Sequence, residues 1–388
     1  MIDRNYLEEF AYFGDRIYMD CSAMGMQPER TRRAAGEYLL RFSDSLGRDP
    51  QVFGSEICGR GKRALARLVG GEPEDIFFTM NTTWGNNLLA KGLPLEAGSQ
   101  VLVSGGDFPS VYMPWTARQK EGVELVVLPG KNGVVAAEDM IAAMTERTRV
   151  ACVSLAQSSS GYVTDIRKLA RACKDRGILL SVDAVQAVGR LPVHVREMEI
   201  DVLSASSYKG LLGAMGAAFC WCRPEVMEQI TPLYLGGNIE QGYELPLGRF
   251  DGEKVRLGIP SYAHRAARME TGTMNLMGIH TMTESIEMLL EIGIEKIAGQ
   301  IREVETYFRE RMKEAELPIR FLGSDDPDTW GGSVSFLYDL SRRPRLEQAL
   351  SEAGIYVTVR DYLRVSFHYY NTKEQAERLV FVLKQALG

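Results

Sequence analysis

The chain has 388 residues, 45% of them hydrophobic, which is enough to bury a large core in one big domain with a smaller companion or in two comparable domains. A formal net charge of -6, with Lys and Arg scattered singly, offers no basic stripe for nucleic acid and no polybasic run for a membrane surface. The amino terminus mixes charged and apolar residues, and no stretch approaches the roughly 18 apolar residues of a membrane span, so we expect a cytoplasmic protein. The six cysteines lack C-x-x-C pairs and neighbouring histidines, so we expect no metal site and no disulfide framework.

Short β-rich apolar runs alternate with helical stretches between about residue 76 and residue 222. This alternation predicts a mainly parallel, doubly wound α/β sheet. One covering helix has both ends marked, with Thr164 or Asp165 as its N-cap and Gly177 just beyond its end. Its apolar face consists of Ile166, Leu169, Ala170 and Cys173. The strands are expected in QVLVS, VELVVL, RVACVSL, GILLSVD, IDVLSAS and AAFCWC.

The pattern changes after residue 280, where a long amphipathic stretch over residues 281–316 precedes three short strand patterns and a last helix. The strands are expected in GGSVSFLYDL, IYVTVR and YLRVSFH. Thr372 and Gln375 have the spacing of a capping box at the start of the last helix. These elements predict an α+β domain.

The expected domain organisation has three parts. A large domain spans residues 21–275, a smaller α+β domain spans 276–388, and the segment 1–20 packs with the smaller domain. The stretch from Gly236 to Ser261 is rich in Gly, Pro and charged residues, and it is predicted to form a long loop.

Three residues of the large domain carry groups that suit a pyridoxal phosphate cofactor. Lys209 follows a predicted buried strand, where partial desolvation shifts an amine toward its nucleophilic neutral form. Asp183 ends another strand at the carboxyl edge of the sheet, where a carboxylate can keep a pyridine nitrogen protonated and make the ring an electron sink. Gln186 can donate to the phenolate oxygen of that ring. Taken singly, a solvated loop lysine, a helix N-cap aspartate and a surface glutamine are the alternatives.

A candidate phosphate site lies at the start of a predicted helix. Asn81, Thr82 and Thr83 stand between a short strand and that helix, where hydroxyls and free backbone N–H groups converge. Ser206, three residues before Lys209, adds a hydroxyl from the opposite side. Ordinary helix capping is the alternative for the threonines and the asparagine.

Phe108 and Arg364 are candidates for the ring face and for a substrate carboxylate. Phe108 follows a predicted strand, and its ring can stack on a planar cofactor in a contact of about 1 kcal/mol, with a core phenylalanine as the alternative. Arg364 lies in a strand pattern of the second domain, where it can bind a carboxylate across the domain cleft or form an edge-strand salt bridge. Motifs of dinucleotide-binding, P-loop, serine hydrolase and zinc protease proteins are absent. The histidines, at positions 194, 264, 280 and 368, have no evident ligand or triad partner in the sequence.

The segments LLSVDAVQAVGRLPV and DVLSASSYKGLLGAMGAAF resemble the class V aminotransferase family, which includes cysteine desulfurases, selenocysteine lyases and isopenicillin N epimerase-like proteins. The resemblance covers nearly the whole chain and extends to TMNTTWGNN, GGDFPSVYMPW, RMETGTMN and YLRVSFHYYNT. It implies a fold of pyridoxal phosphate fold type I, with a mainly parallel seven-stranded sheet in the large domain. It also implies pyridoxal 5'-phosphate as the cofactor, an amino acid as the substrate and a homodimer with shared active sites.

The resemblance further implies a role for each candidate. Lys209 would bind the cofactor covalently, Asp183 would pair with the ring nitrogen, and Gln186 would face the phenolate oxygen. Phe108 would stack on the ring, and Arg364 would bind the α-carboxylate of the substrate. The phosphate would be held by Thr82, Thr83 and Ser206 and, from the neighbouring subunit, by Thr273.

Three departures from the family pattern bear on the reaction. Tyr208 and Phe108 stand where desulfurases commonly carry histidines. Desulfurases also carry a nucleophilic cysteine on a loop shortly before the carboxylate arginine, whereas the last cysteine here is Cys222, so a persulfide-forming desulfurase is disfavoured. The family often has an asparagine that touches the cofactor, and in its place this chain offers Gln157 and Ser158, of which we assign Ser158.

The expected function is chemistry at the α-carbon of an amino acid, with Lys209 as the base. An aminotransferase is the first expectation, and a carbon–sulfur lyase or an amino-acid epimerase is the alternative. A non-catalytic binding module is the alternative from another class, and the intact set of Asp183, Gln186 and Lys209 argues against it.

Overall fold

The structure, a computed structural model, describes residues 2–44, 50–236 and 261–388. The long loop predicted between Gly236 and Ser261 lies, apart from its two end residues, outside the described residues. None of the helices in the described ranges combines the length and the apolar character that a bilayer crossing requires.

A seven-stranded sheet forms the centre of the fold. Its strand pairs are parallel except for those of Ala218–Cys222, which runs antiparallel to both of its neighbours. The prediction of a mainly parallel α/β sheet is therefore confirmed. In spatial order the strands are Ile76–Thr79, Ala218–Cys222, Val202–Ser206, Leu179–Asp183, Thr148–Ser154, Gln100–Ser104 and Glu124–Leu128.

Apart from its outer strand Glu124–Leu128, which is partly exposed, the sheet is largely buried on both faces. Successive strand residues point to opposite faces, and Phe77 and Val101 belong to one apolar cluster while Phe78 and Leu102 belong to another. Burial on both faces explains why these strands are continuous apolar runs rather than alternating ones. Among the described residues, burial of both faces of the inner strands leaves polar chemistry to the ends of these strands.

The helix predicted within TDIRKLARACKDRG is Ile166–Lys174, and all four residues of its predicted apolar face are buried. Asp165 caps it, because its Oδ1 accepts a hydrogen bond from the Lys168 N–H at 3.0 Å. Gly177 has a φ of +64°, the left-handed conformation that commonly follows a helix end. The α-helices of the described chain are Arg4–Glu8, Glu29–Asp44, Pro50–Val69, Thr82–Gly92, Pro109–Thr116, Ala137–Ala142, Ile166–Lys174, Pro224–Met227, Leu276–Ile292, Ile294–Glu314, Arg343–Glu352 and Lys373–Leu387.

The carboxyl-terminal part contains a four-stranded antiparallel sheet, ordered Thr358–Val359, Leu363–Ser366, Ser333–Leu337 and Arg320–Leu322. The amphipathic stretch before it falls into two helices, because Gly293 interrupts the backbone with a φ of +92°. The capping box is confirmed, since the Gln375 N–H donates to Thr372 Oγ1 and the Thr372 N–H donates to Gln375 Oε1, both at 3.3 Å. The strand Arg320–Leu322 was not predicted.

The amino-terminal segment packs on the carboxyl-terminal part and then crosses to the large sheet. Ile17–Tyr18 pairs in parallel with Ile355–Tyr356. A few residues later the Gly25 N–H donates to the carbonyl of Tyr208 at 2.8 Å. This crossing brings residues 20–25 beside the end of the strand Val202–Ser206, and the division into three parts at residues 20 and 275 stays a prediction.

Candidate active site

Lys209 lies in the turn that follows the strand Val202–Ser206. Its side chain is only 9% exposed. Burial lowers the pKa of Lys209 to about 8, because desolvation disfavours the ammonium form. Gly25 packs directly on this turn, and a Cβ at that position would approach the Lys209 carbonyl oxygen to 2.2 Å. The lysine is therefore held in a close-packed turn rather than on a solvated loop.

Asp183 ends the neighbouring strand, Leu179–Asp183, and is 4% exposed. Its Oδ1 accepts a hydrogen bond from the Val185 N–H at 2.9 Å, and its Oδ2 is buried without a partner among the described residues. Burial raises the pKa of Asp183 to about 6, although the Val185 N–H and the charge of Lys209 both oppose the rise. One carboxylate oxygen is thus available to a cationic partner.

Gln186 is buried three residues after Asp183, and it contacts the amino-terminal segment. Its Nε2 donates to the carbonyl of Ser22 at 3.0 Å, while its Oε1 is buried and has no partner in the described part of the chain. The amide thus tethers residue 22 to the segment that follows the strand Leu179–Asp183. One N–H of the amide is used by Ser22, so a hydrogen bond from Gln186 to a phenolate oxygen would have to use the second N–H. That hydrogen bond stays a prediction.

The predicted phosphate site is the start of the helix Thr82–Gly92. Asn81 is the N-cap, since its Oδ1 accepts from the Trp84 N–H at 2.9 Å, so its side chain performs the ordinary capping role. The Thr82 N–H donates to Ser206 Oγ at 3.3 Å, which brings the helix start and the turn before Lys209 together. Thr83 is exposed beside them. Backbone N–H groups and hydroxyls therefore meet where a phosphate was predicted.

Phe108 presents its ring at the same edge of the sheet. The ring is 53% exposed, and its centroid lies 5.7 Å from Lys209 Nζ. An aromatic ring left so exposed beside a buried lysine suits stacking on a planar ligand and excludes the alternative of a core phenylalanine.

Arg364 reaches the site from the strand Leu363–Ser366 and is 7% exposed. It donates to the carbonyl of Ser158 at 2.9 Å and to Thr358 Oγ1 at 3.2 Å, and it lies 3.6 Å from Asp20 Oδ1. Its Nε is buried without a partner among the described residues. The positive charge of Arg364 also acts on Lys209 and helps to lower the pKa of that lysine, so the two side chains belong to one site.

Ser158 and Thr273 occupy different places relative to this cluster. The Ser158 carbonyl supports Arg364, whereas Gln157 is turned away and exchanges hydrogen bonds with the main chain of Val135 at 2.8 and 3.3 Å. Thr273 is exposed and lines a separate cavity together with Trp84. Within one chain, Thr273 therefore lines a different cavity and does not belong to the cluster around Lys209.

Two carboxyl groups at the site were not predicted from the sequence. Asp20 approaches Arg364 and accepts from Thr358 Oγ1 at 2.7 Å. Asp107 is buried next to Phe108, its Oδ2 accepts from the Ser154 N–H at 2.7 Å, and burial raises its pKa to about 7. In the sequence, the only sign that Asp107 lies at this site is its position directly before Phe108. An ordinary aspartate in a turn would look the same.

The cluster fits pyridoxal phosphate on features of the chain itself. A buried carboxylate oxygen of Asp183 has no partner in the described chain, and the exposed face of Phe108 and a lysine of lowered pKa lie close to it. A cationic ring nitrogen, a planar ring and an aldehyde are the groups that would meet these three features. Beside the helix start, Ser206 Oγ accepts from the Thr82 N–H and so keeps its own hydroxyl proton to donate to a phosphate.

Comparison with known proteins agrees with this fit. Residues 17–379 match the family model described as aminotransferase class V. A probable cysteine desulfurase of Methanothermobacter thermautotrophicus is 27% identical over 401 aligned positions, which cover 96% of this chain and 95% of that protein. The isopenicillin N epimerase of Streptomyces clavuligerus is 27% identical over 92% of both chains. The apo structure of a cysteine desulfurase from Thermococcus onnurineus has a TM-score of 0.88 at 23% identity, covering 100% of this chain and 98% of that one, which shows the same fold.

Proposed function

Because the chain belongs to the aminotransferase class V family, whose cofactor is pyridoxal phosphate, we propose that Lys209 removes the α-proton of a bound amino acid. The environment of Lys209 carries the proposal. The lysine is buried, its pKa is lowered to about 8, and the charges of Asp183 and Arg364 both act on it. A lysine with that pKa has a usable fraction of free amine near neutral pH, as a nucleophile and a base both require.

The cofactor would be held by groups at the carboxyl edge of the sheet. Asp183 would accept from the ring nitrogen, Phe108 would cover one ring face, and the hydroxyls of Thr82, Thr83 and Ser206 would meet the phosphate. When bound, pyridoxal phosphate withdraws electrons from the α-carbon of the substrate and so acidifies its α-proton. The protein's part is to keep Asp183 charged toward the ring and Lys209 free to take and return the proton.

We assign the α-carboxylate of the substrate to Arg364. Its buried Nε has no partner among the described residues and leaves a donor for an incoming carboxylate. Ser158 and Thr358 hold the two terminal nitrogens of the guanidinium, which fixes its plane before the substrate arrives. A substrate whose carboxylate meets Arg364 and whose amino group meets the cofactor would place its α-carbon near Lys209.

The step after proton removal separates three reactions. Return of the proton to the cofactor gives an aminotransferase, loss of a β-substituent gives a lyase, and return to the opposite face of the α-carbon gives an epimerase. The family description favours an aminotransferase. The desulfurase relatives favour cleavage of a carbon–sulfur bond at least as well, and the epimerase relative favours epimerisation.

A carbon–sulfur lyase of this kind would release its sulfur to solution. The strands Thr358–Val359 and Leu363–Ser366 pair with Thr358 opposite Arg364, and only the three residues 360–362 connect them. That short connection contains no cysteine, so the hairpin that carries Arg364 offers no thiol to receive sulfur. Cys21, which follows Asp20 in the chain, is fully buried, and burial raises the pKa of its thiol.

A homodimer would complete the site. Thr273 is exposed and apart from Lys209 in its own chain, as expected of a residue that reaches the phosphate of a partner. Light scattering of the pure protein measures the oligomeric state directly. A Thr273→Ala variant should weaken cofactor binding without unfolding the chain, and unchanged binding would remove Thr273 from the site.

The reaction is identified by a product panel. We would incubate the cofactor-loaded protein with L- and D-amino acids, including cysteine and cystine, with and without keto-acid acceptors, and identify the products by mass spectrometry. Acceptor-dependent formation of a keto acid identifies the aminotransferase, and inverted stereochemistry identifies the epimerase. The lyase is identified by pyruvate and ammonia together with sulfide when the substrate is cysteine, or with cysteine persulfide when it is cystine. The control is Lys209→Ala. Wild-type turnover in that variant, or a wild-type protein that takes up no pyridoxal phosphate, would overturn the proposal.

A further inference from the structure

His368 connects the segment that carries Arg364 with the turn that carries Lys209. It follows the strand Leu363–Ser366 by two residues and is completely buried, with 0% exposure. The Tyr369 backbone N–H lies 2.9 Å from its Nδ1, and its Nε2 lies 2.9 Å from the carbonyl oxygen of Gly210. Gly210 directly follows Lys209 in the chain.

These two contacts determine the tautomer of the ring. Nδ1 accepts a hydrogen bond from the Tyr369 N–H and therefore carries no proton. The one proton of the neutral ring is then on Nε2, which donates to the carbonyl of Gly210. Burial lowers the pKa of His368 to about 3, so the ring stays neutral and the hydrogen bond keeps its direction near neutral pH.

We propose that His368 is a positioning residue for Lys209, which holds the Gly210 carbonyl and so fixes the direction in which the lysine side chain leaves the main chain. The proposal rests on the proposed function, in which Lys209 attaches the cofactor and moves the α-proton. His368 acts through the main chain and does not touch the reacting atoms.

The other peptides of the turn support this role. The carbonyl before the lysine, that of Tyr208, accepts from the Gly25 N–H at 2.8 Å, and the carbonyl of Lys209 accepts from the Leu212 N–H at 3.0 Å. His368 supplies the donor for the next carbonyl, that of Gly210. Three successive carbonyls are therefore fixed, and His368 is the side chain among the donors, which makes it the one that a substitution can remove.

A second contact binds the same strand end to the other half of the cofactor site. Arg190 is 1% exposed, and it donates to the carbonyl of Phe367 at 3.1 Å and to the carbonyl of Gln186 at 3.0 Å. Residues 367 and 368 thus contact the segments that contain Gln186 and Lys209. These short contacts connect the segment that follows Arg364 with the segments that contain Gln186 and Lys209.

The test compares two neutral amides that imitate different ring nitrogens. His368→Gln can present an N–H near the position of Nε2, whereas His368→Asn can imitate Nδ1 and does not reach Gly210. We would measure the rate at which cofactor-free protein develops the visible absorption of attached pyridoxal phosphate, and the pH midpoint of that absorption. Loss of one positioning hydrogen bond should slow attachment roughly fivefold in His368→Asn, while His368→Gln stays within about twofold of wild type.

The outcomes decide between positioning and packing. A shifted pH midpoint and slow attachment in His368→Asn, both restored in His368→Gln, support the proposal. Wild-type attachment and midpoint in both variants, or equal losses in both, overturn it. If His368→Asn does not fold, His368→Met replaces it, because methionine matches glutamine in length and lacks the donor. The wild type and Lys209→Ala are measured in parallel, so that failure of the positioning role of His368 can be told from failure of the proposed function. A wild type without the visible absorption, or a Lys209→Ala variant that keeps it, refutes the proposed function.

Discussion

Lowering the pH should destabilise this protein through His368. The pKa of a histidine is about 6.5 in the unfolded chain and is lowered to about 3 in the folded one, because the buried ring cannot take up a charge. Between these values the unfolded chain binds more protons than the folded chain, so the free energy of unfolding falls as the pH falls. The free energy of unfolding falls by about 1.4 kcal/mol for each pH unit below the unfolded-state pKa of about 6.5. At pH 5 it is therefore about 2 kcal/mol lower than above that pKa.

Urea denaturation of the cofactor-loaded protein at pH 8 and pH 5 measures this loss. His368→Gln does not titrate in this range, so its free energy of unfolding should fall by about 2 kcal/mol less than that of wild type between the two pH values. The buried carboxyls Asp107 and Asp183 titrate in both proteins, and their contribution cancels in the difference. His264→Gln, at an exposed position, is the matched control. Equal pH dependence in wild type and His368→Gln would refute the reasoning.

Three further predictions concern the site and its support. Arg364→Ala should lower kcat/KM by roughly 10- to 100-fold, because a charge-assisted hydrogen bond to the α-carboxylate is lost. Arg364→Lys should recover part of this loss. Unchanged steady-state kinetics in Arg364→Ala would remove Arg364 from the site. Asp183→Asn should keep the visible absorption of the attached cofactor but lower kcat by roughly 100-fold or more, and a normal kcat would contradict its role at the ring nitrogen. Gly25→Ala should destabilise the fold by about 1–3 kcal/mol, since its Cβ would meet the Lys209 carbonyl oxygen at 2.2 Å. Gly36→Ala, in the helix Glu29–Asp44 with nothing within 4 Å of the new Cβ, should instead be neutral or stabilising in thermal unfolding, and similar losses in both would argue against the close contact.

The sequence predicted those parts of the fold that depend on local signals. The helix Ile166–Lys174 carries an N-cap, an apolar face and a terminal glycine within one short segment, so both of its ends could be placed. The central strands were recognisable because burial on both faces gives continuous apolar runs. The strand Arg320–Leu322 was missed because it is short and partly exposed, and its pairing with Ser333–Leu337 supplies the stability that its own residues lack.

Long-range main-chain partners were beyond the reach of sequence patterns. Lys209, Asp183 and Arg364 could be proposed because their side-chain chemistry suits the site and the segments that contain them resemble the class V aminotransferase family. His368 could not be linked to Lys209, since its partner is a carbonyl 158 positions away and every residue has a carbonyl. The same holds for Gln186, whose amide meets the carbonyl of Ser22 across 164 positions.

The path of the amino-terminal segment sets the order in which the site can be finished during synthesis. Ile17–Tyr18 is synthesised well before its partner strand Ile355–Tyr356, which follows it in the chain by more than three hundred residues. Gly25, which closes on the Lys209 turn, belongs to the same early segment. Pairing across such a sequence distance is slow, and until it forms the early strand is an open edge. A nascent chain therefore carries Lys209 for some time before that residue has the buried surroundings that lower its pKa.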